Sequence, residues 1–465
     1  MSLLNRRQFA IRSAGVLALG AVGDLSAGTD QPAAGWRIAT FQADITPPVG
    51  HPLIGGLRGP AKSILDRLSA RGMVLLGGDR PLVICGLDWC ELRNDAYDAF
   101  RDALAAAVGT DRQRVLLSCL HQHDAPYFDL TAQKLLSAAG LPKVMFDPAF
   151  FEQSVGETAA AAKAALEKAR PVTHLGMGQA EVKQVACNRR VVGADGKPRF
   201  NRYSLARDLA IRNAPEGLID PQLKTLSFWD GQRPVAAISL YATHPMSYYG
   251  NGEVSYDFPG MARELRQRQM PEVFQIYLTG CSGDVVSAKF NDGTPEGRRQ
   301  LAERLHEGMD SAWKATRQQP LERVAFRCSA LELPPPDEGN LTIAALERTV
   351  ADPAASQSDR IHAAMGLSYR RRCDREQPID VPAIDFGASQ IAVMPAELFV
   401  GYPLVAQKLR PDQLLLTPGF GECAPGYIPT DAAREESFVE EHGYCWVRPG
   451  AETPILAAIR KAVSP

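Results

Sequence analysis

No run of about 18 apolar residues occurs after the N-terminus, so no segment of the mature chain reads as a transmembrane helix. Basic charge is not in excess either. The 51 Lys and Arg are balanced by 53 Asp and Glu for a formal net charge of -2, which leaves no field for a phosphate backbone and excludes nucleic acid as an expected partner. The nine cysteines form no C-x-x-C pair and leave one over, so they read as small buried hydrophobes and not as a disulfide framework. Internal repeats, low-complexity linkers and long charge runs are missing as well. The only basic cluster, Arg370 to Arg372 in "YRRRCDRE", reads as a solvated helix face.

What the chain does contain is 45% hydrophobic and 22% charged residues, enough to build a sizeable core in a water-soluble globular protein. At the N-terminus, "LNRRQFAIRSAGVLALGAVGDLSAG" sets Arg6, Arg7 and Phe9 ahead of an Ala/Gly/Leu/Val stretch too short and glycine-rich to span a bilayer. Residues 1–30 therefore read as a twin-arginine signal, with the twin-arginine export machinery as partner and a periplasmic or extracellular destination.

Short apolar runs ("GMVLLGG", "PLVICGL", "RVLLSCL", "VAAISLYA", "VFQIYLTG", "SQIAVM", "QLLLTPG") alternate with helical patterns such as "AYDAFRDALAAAV" and "PEGRRQLAERLHEGMDSAWKA". "PAELFVGYPLVAQKL" reads as one further helix, and "VVGADGKPRF" as a hairpin or loop excursion. This predicts an α/β fold, a mixed sheet core flanked by helices. Ligands in such folds collect beyond the carboxyl ends of the strands. Asp88, His121, His123, His244, Asp284, Glu397, Glu422 and Tyr427 all follow apolar runs, and one shared site is the economical expectation.

In "CLHQHDAPYF", His121 and His123 stand two apart at a strand end, where alternation puts both rings on one face. Two such nitrogens can bind one cation, or one can bind while the other works on substrate; the pattern also arises by chance. His244 alone reads as a satisfied structural residue or a substrate contact. Glu397 alone reads as a helix N-terminal glutamate favoured by the helix dipole. Together they offer the two histidines and carboxylate of many zinc hydrolases, in which the ion lowers the pKa of water to about 7.

The order of motifs resembles the neutral/alkaline (non-lysosomal) ceramidase family, and in particular its divergent bacterial members. "ADITPPVGHPLIGG" is similar to the family's opening, "CLHQHDAP" to its THTHSGP-type motif, "ACNRRV" to its NR motif and "YATHPMS" to its AVHP-type motif. "YLTGCSGDVV", "VMPAELFV", "APGYIPT" and "GYCW" follow in the family's order. The resemblance implies a catalytic domain over residues 36–455 and one zinc ion held by His121, His244, Glu397 and Tyr427. It further implies that His123, Arg189 and Tyr444 assist when activated water attacks an amide, or an ester, of a lipid- or sugar-derived substrate.

Departures from the family are as informative. The serine of the family's GDVSPN segment falls on Val286, with Ser287 one place on, so serine chemistry is not expected. Asp124, Ala125, Pro126, Tyr127 and Phe128 replace a tight glycine turn and set an acid and two aromatics beside the metal. Asp124 could serve as a base, a second ligand or the orienting partner of a ligating histidine, and the last is favoured. Asp284 lines the same cleft or serves its turn, and Asp257 caps the helix near Pro259. The family's immunoglobulin-like C-terminal domain is not expected here. A glycosidic or other non-amide bond on the same scaffold is the competing enzymatic reading, and a non-catalytic envelope binding protein the third.

Overall fold

Apolar strands in pairs build two sheets that share one core. In the computed structural model, which describes residues 35–436 and 441–464, the first sheet runs Val115–Cys119, Leu82–Leu87, Ser69–Leu76, Arg37–Asp44 and Arg170–Pro171. The second runs Phe274–Thr279, Arg233–Tyr241, Gln222–Asp230, His174–Glu181 and Arg317–Pro320. Each is antiparallel except at one edge, where Val115–Cys119 and Phe274–Thr279 add in parallel after a helical crossover. "VLLSC" and "LVICGL" are buried throughout, as near-continuous apolar runs should be when both faces are covered.

Met73, Ile84 and Leu116 of the first sheet meet Leu226, Ile238 and Leu278 of the second in that core. Gly86 allows the close approach, since a Cβ there would stand 3.0 Å from Leu278 Cδ2 and 3.1 Å from the Tyr277 carbonyl. A third sheet, Ala325–Leu331, Ile379–Asp385, Ser389–Ala392 and Leu414–Leu416, adds Ile384, Ile391 and Leu416 to it.

Helices cover the outer faces. Asn94–Val108 and Pro148–Ala165 pack on the first sheet, Asp257–Gln269 and Pro295–Lys314 on the second, Gly401–Leu409 and Glu452–Val463 on the third. Asp147 and Thr294 cap their helices ahead of Pro148 and Pro295, whose fixed φ suits a first turn. The mixed α/β expectation is borne out, and Arg190–Val192 pairs with Pro198–Asn201 as the expected hairpin. Among the described residues no helix is long and apolar enough to cross a membrane. Arg6, Arg7 and Phe9 lie outside the described residues.

Three expectations are corrected. "PAELFVGYPLVAQKL" is two elements: Glu397–Leu398 pairs in parallel with Tyr427–Ile428, and the helix starts at Gly401. The left-handed Ala396, φ 51°, breaks the helical path before Glu397. Strand Val115–Cys119 ends before His121. The arginine cluster is not solvated, because Arg370 and Arg372 are buried and only Arg371 is exposed. Arg372 meets Asp98 at 2.9 Å and Glu422 at 3.3 Å, and Arg370 donates to the Leu341 carbonyl at 2.8 Å. Remote partners outweigh the local charge run.

Candidate metal centre

His121 takes the left-handed conformation, φ 70°, immediately beyond the strand. Its N–H donates to the Trp89 carbonyl at 2.9 Å, which fixes the turn. The ring is aimed across the sheet edge at His244, with centroids 4.8 Å apart, while His123 stands beside both at 5.1 Å and 6.1 Å. His244 follows Arg233–Tyr241, and its N–H donates to Val285 at 2.9 Å. Glu397 is set by its pairing with Tyr427 and by its N–H bond to the Gly426 carbonyl at 3.1 Å. Phe420, at φ 54°, donates to the Ala396 carbonyl at 3.1 Å and stacks its ring on His121 at 4.0 Å and 14°. Left-handed non-glycine residues cost on the order of 1–3 kcal/mol each. His121, Ala396 and Phe420 concentrate that strain at one place.

Three ligand atoms converge there, all from buried side chains. His121 Nε2 is 3.2 Å from His244 Nε2, His244 Nε2 is 2.9 Å from Glu397 Oε2, and His121 Nε2 is 3.5 Å from the same oxygen. The opposite nitrogen of each ring faces a carbonyl: His121 Nδ1 lies 3.0 Å from Cys90 O and His244 Nδ1 lies 2.6 Å from Ser282 O. A carbonyl only accepts, so Nδ1 carries the proton in both rings and both Nε2 atoms present lone pairs. Lone pairs at this distance, beside a carboxylate, call for positive charge between them. Four-coordinate sites with bonds of ~2.0–2.1 Å space their ligand atoms about 3.3 Å apart, which is the spacing here. The donor set fits a divalent cation that favours nitrogen and oxygen ligands.

A proton can supply the same compensation. Burial opposes a charge on His121, but the adjoining Glu397 carboxylate raises its pKa above the usual imidazole value. Burial would raise the Glu397 carboxyl, yet the two imidazoles hold it well below the ordinary range. His244 is lowered to about 4 by burial and by Arg189. Burial, then His121 and His244, keep His123 neutral.

His121 and Glu397 face a cavity of about 370 Å³, with His244 buried behind them; His123, Tyr427, Tyr444, Tyr127, Tyr249, Ile54 and Leu57 also line it, with Arg58 and Ser358 among its walls. Tyr427 accepts a hydrogen bond from Arg189 Nη2 at 3.2 Å, and the guanidinium lies 5.6 Å over its ring. Burial and the Glu397 and Glu91 carboxylates push the Tyr444 phenol up to about 12.

Other predicted residues stand apart from the cavity wall. Asp284 accepts from Asn188 Nδ2 at 2.9 Å and from the Val400 N–H at 2.8 Å, and its carbonyl accepts from the Arg189 N–H at 2.7 Å. It ties the segment of Arg189 to that of Glu397. Asp124 accepts from the Gly250 N–H at 2.9 Å, and burial pushes its carboxyl up to about 7; carbonyls, not this acid, face the Nδ1 atoms of His121 and His244. Asp88 is paired with Arg263 at 2.6 Å and Glu422 with Arg372. Asp257 is the first residue of its helix and not its cap, a position held by Tyr256; its carboxylate accepts instead from the Ser247 N–H at 2.9 Å.

Glu91 belongs to no motif, yet it lines the cavity beside the trio. Burial raises its carboxyl to about 7 against the pull of Arg93. The sequence offers one hint, an acid and an arginine two apart on what becomes the short strand Glu91–Arg93.

No family model and no curated protein matches the sequence. Solved structures do. Neutral ceramidase from Pseudomonas aeruginosa superposes with a TM-score of 0.66 at 18% identity, over 92% of this chain and 74% of that one. A ceramidase complexed with C2 gives 0.68 at 17% identity, over 92% and 75%. At low identity, the chain has a neutral ceramidase-like fold.

Proposed function

We propose that the chain is an exported zinc-dependent hydrolase that cleaves an amide or ester bond of a lipid- or sugar-derived substrate. In this reading residues 1–30 direct twin-arginine export to the periplasm or beyond, and residues 36–455 form the catalytic domain. The observation that carries it is the convergence of His121 Nε2, His244 Nε2 and Glu397 Oε2 within 3.5 Å of one another, with His121 and Glu397 in the wall of a cavity. Both structural neighbours are named as ceramidases, which supports the choice of bond.

His121, His244 and Glu397 would hold the ion, with Tyr427, the register partner of Glu397, as fourth ligand. A bound zinc supplies Lewis acidity, which acidifies water and polarises a carbonyl. His123 is held neutral with its Nδ1 unpartnered among the described residues, so its ring is placed to hydrogen-bond the attacking water or the developing oxyanion. Arg189, bonded to the Tyr427 hydroxyl, brings fixed positive charge to a developing oxyanion. Tyr444 keeps its phenolic proton at neutral pH and can donate it to that oxygen or to the leaving group.

The test is a product screen of acylated amines and esters on purified protein, combined with metal analysis. One zinc per chain and a hydrolytic product are expected, with Glu397→Ala reducing turnover by at least ~10³-fold. Turnover that survives in Glu397→Ala would mean the centre lies elsewhere.

A further inference from the structure

Glu91 and Tyr127 are register partners on the parallel strand pair Glu91–Arg93 and Tyr127–Asp129, so they emerge side by side into the cavity. Arg93 locks both, its Nη1 donating to Glu91 Oε2 at 3.1 Å and to the Tyr127 hydroxyl at 2.6 Å. Tyr127 lies in the stretch where the sequence leaves the ceramidase pattern.

Arg93 satisfies only one oxygen of Glu91. Oε1 has no hydrogen-bond donor among the described residues: His121 Nδ1, 3.8 Å away, is turned to the Cys90 carbonyl. Glu91 is 4% exposed, so bulk water gives it little. A carboxyl oxygen that opens on a cavity without a protein donor is placed to meet one from a ligand. An alkyl chain laid against it would strip its remaining hydration and return nothing.

The rest of the wall agrees. Among the described lining residues only Ile54 and Leu57 are aliphatic, whereas Tyr127, Tyr249, Tyr427 and Tyr444 offer flat, amphipathic faces. That surface suits a ring or short chain bearing hydroxyls better than two long hydrocarbon tails.

We propose that Glu91 Oε1 is a specificity-determining acceptor, and that the cavity selects a compact hydroxyl-bearing acylamine, of amino-sugar or short amino-alcohol type, over a long-chain lipid amide. The bond cleaved rests on the hydrolase reading above. The binding preference does not.

Binding is measured by calorimetry on the zinc-treated full chain with two matched probe pairs: N-acetylglucosamine against N-acetylcyclohexylamine, and 2-acetamido-1,3-propanediol against N-isopropylacetamide. The hydroxylated member of at least one pair binds about tenfold tighter or better, and which pair does so separates sugar from amino alcohol. In Glu91→Leu the preference falls towards unity. Glu91→Gln, which preserves shape and the bond to Arg93, loses part of it, and zinc content is unchanged in both. Should Glu91→Leu fail to fold, Glu91→Gln alone decides.

Equal affinity within both pairs, no detectable binding of either hydroxylated probe, or a preference untouched by the Glu91 variants overturns the proposal. So does loss of zinc in Glu91→Gln, because Glu91 would then be acting through His121. Faster turnover of ceramide in mixed micelles than of either hydroxylated probe also overturns it. A Glu91-dependent preference without hydrolysis of any amide or ester leaves it standing and removes the hydrolase reading instead.

Discussion

His121 Nε2 and His244 Nε2 face each other at 3.2 Å, while the opposite nitrogen of each ring is turned to a backbone carbonyl. The two carbonyls settle the tautomers, and the tautomers leave two lone pairs aimed at one point beside Glu397. Zinc binding should therefore stabilise the fold. At a thousandfold excess over the dissociation constant the gain is about 4 kcal/mol. Thermal unfolding of chelator-treated protein, with and without added zinc, measures it. The midpoint should rise with zinc concentration in the wild type and stay fixed in His121→Ala and His244→Ala; equal shifts in all three would place the ion at some other site.

Asp284 ties together the segments that carry Arg189 and Glu397 without lining the cavity. Its carboxylate holds Asn188 and the Val400 N–H, and its carbonyl holds the Arg189 N–H. Asp284→Ala removes two bonds to a charged acceptor and strands buried donors, a loss of about 3 kcal/mol. Because Glu397 and Arg189 sit on the released segments, zinc affinity should fall as well, and by less in Asp284→Asn. Urea unfolding and zinc titration of both variants check the pair of effects. A stability loss with unchanged zinc affinity would limit Asp284 to support of the fold.

The strands were legible because "VLLSC", "LVICGL" and their like are apolar along their whole length, and their ends pointed to His121, His244 and Glu397. The routes by which these residues meet were not. A left-handed φ at Ala396 or Phe420 has no propensity signature, and the modest enrichment of histidine in that region is too weak to single out His121. "PAELFV" reads as a helix start because local preference is all a sequence displays, and the pairing with Tyr427–Ile428, 30 positions on, overrides it. Glu91 stayed hidden for a related reason. Its meaning comes from Arg93, Tyr127 and His121, which only the fold assembles around it.

Arg372 offers a sharp test of how far partners outweigh local composition. Its guanidinium is shared between Asp98 and Glu422 and donates to the Pro378 carbonyl at 2.9 Å. Arg372→Met leaves the buried Glu422 carboxyl without its cation, while Asp98 keeps Arg112 at 3.5 Å, and should cost about 3–5 kcal/mol. Arg371→Met, one residue away on the exposed face, should stay within about 0.5 kcal/mol of wild type. Denaturant midpoints of the two variants give the comparison directly, and similar midpoints would restore the picture of a solvated arginine face.

His51 predicts a loss of stability in acid. Its Nδ1 donates to the Pro52 carbonyl at 2.7 Å, and its Nε2 accepts from the Asp147 N–H at 3.2 Å, at the start of helix Pro148–Ala165. The neutral ring thus satisfies both neighbours, and a proton on Nε2 would destroy the second bond. Burial, opposed weakly by Pro52 and Asp147, lowers its pKa from 6.5 to about 4. Between those values the unfolded chain binds a proton that the folded chain refuses, so stability is fully present above pH 6.5 and falls as pH drops towards 4. The depression corresponds to about 3 kcal/mol across that window. Other groups titrate in the same range, so the useful quantity is a difference. His51→Gln keeps a donor and an acceptor but cannot take up the proton, and the wild-type advantage over it at pH 7 should shrink by about 3 kcal/mol at pH 4. Urea unfolding at both pH values reads that change, and an advantage that is the same at both would show that His51 is already free to protonate in the folded protein.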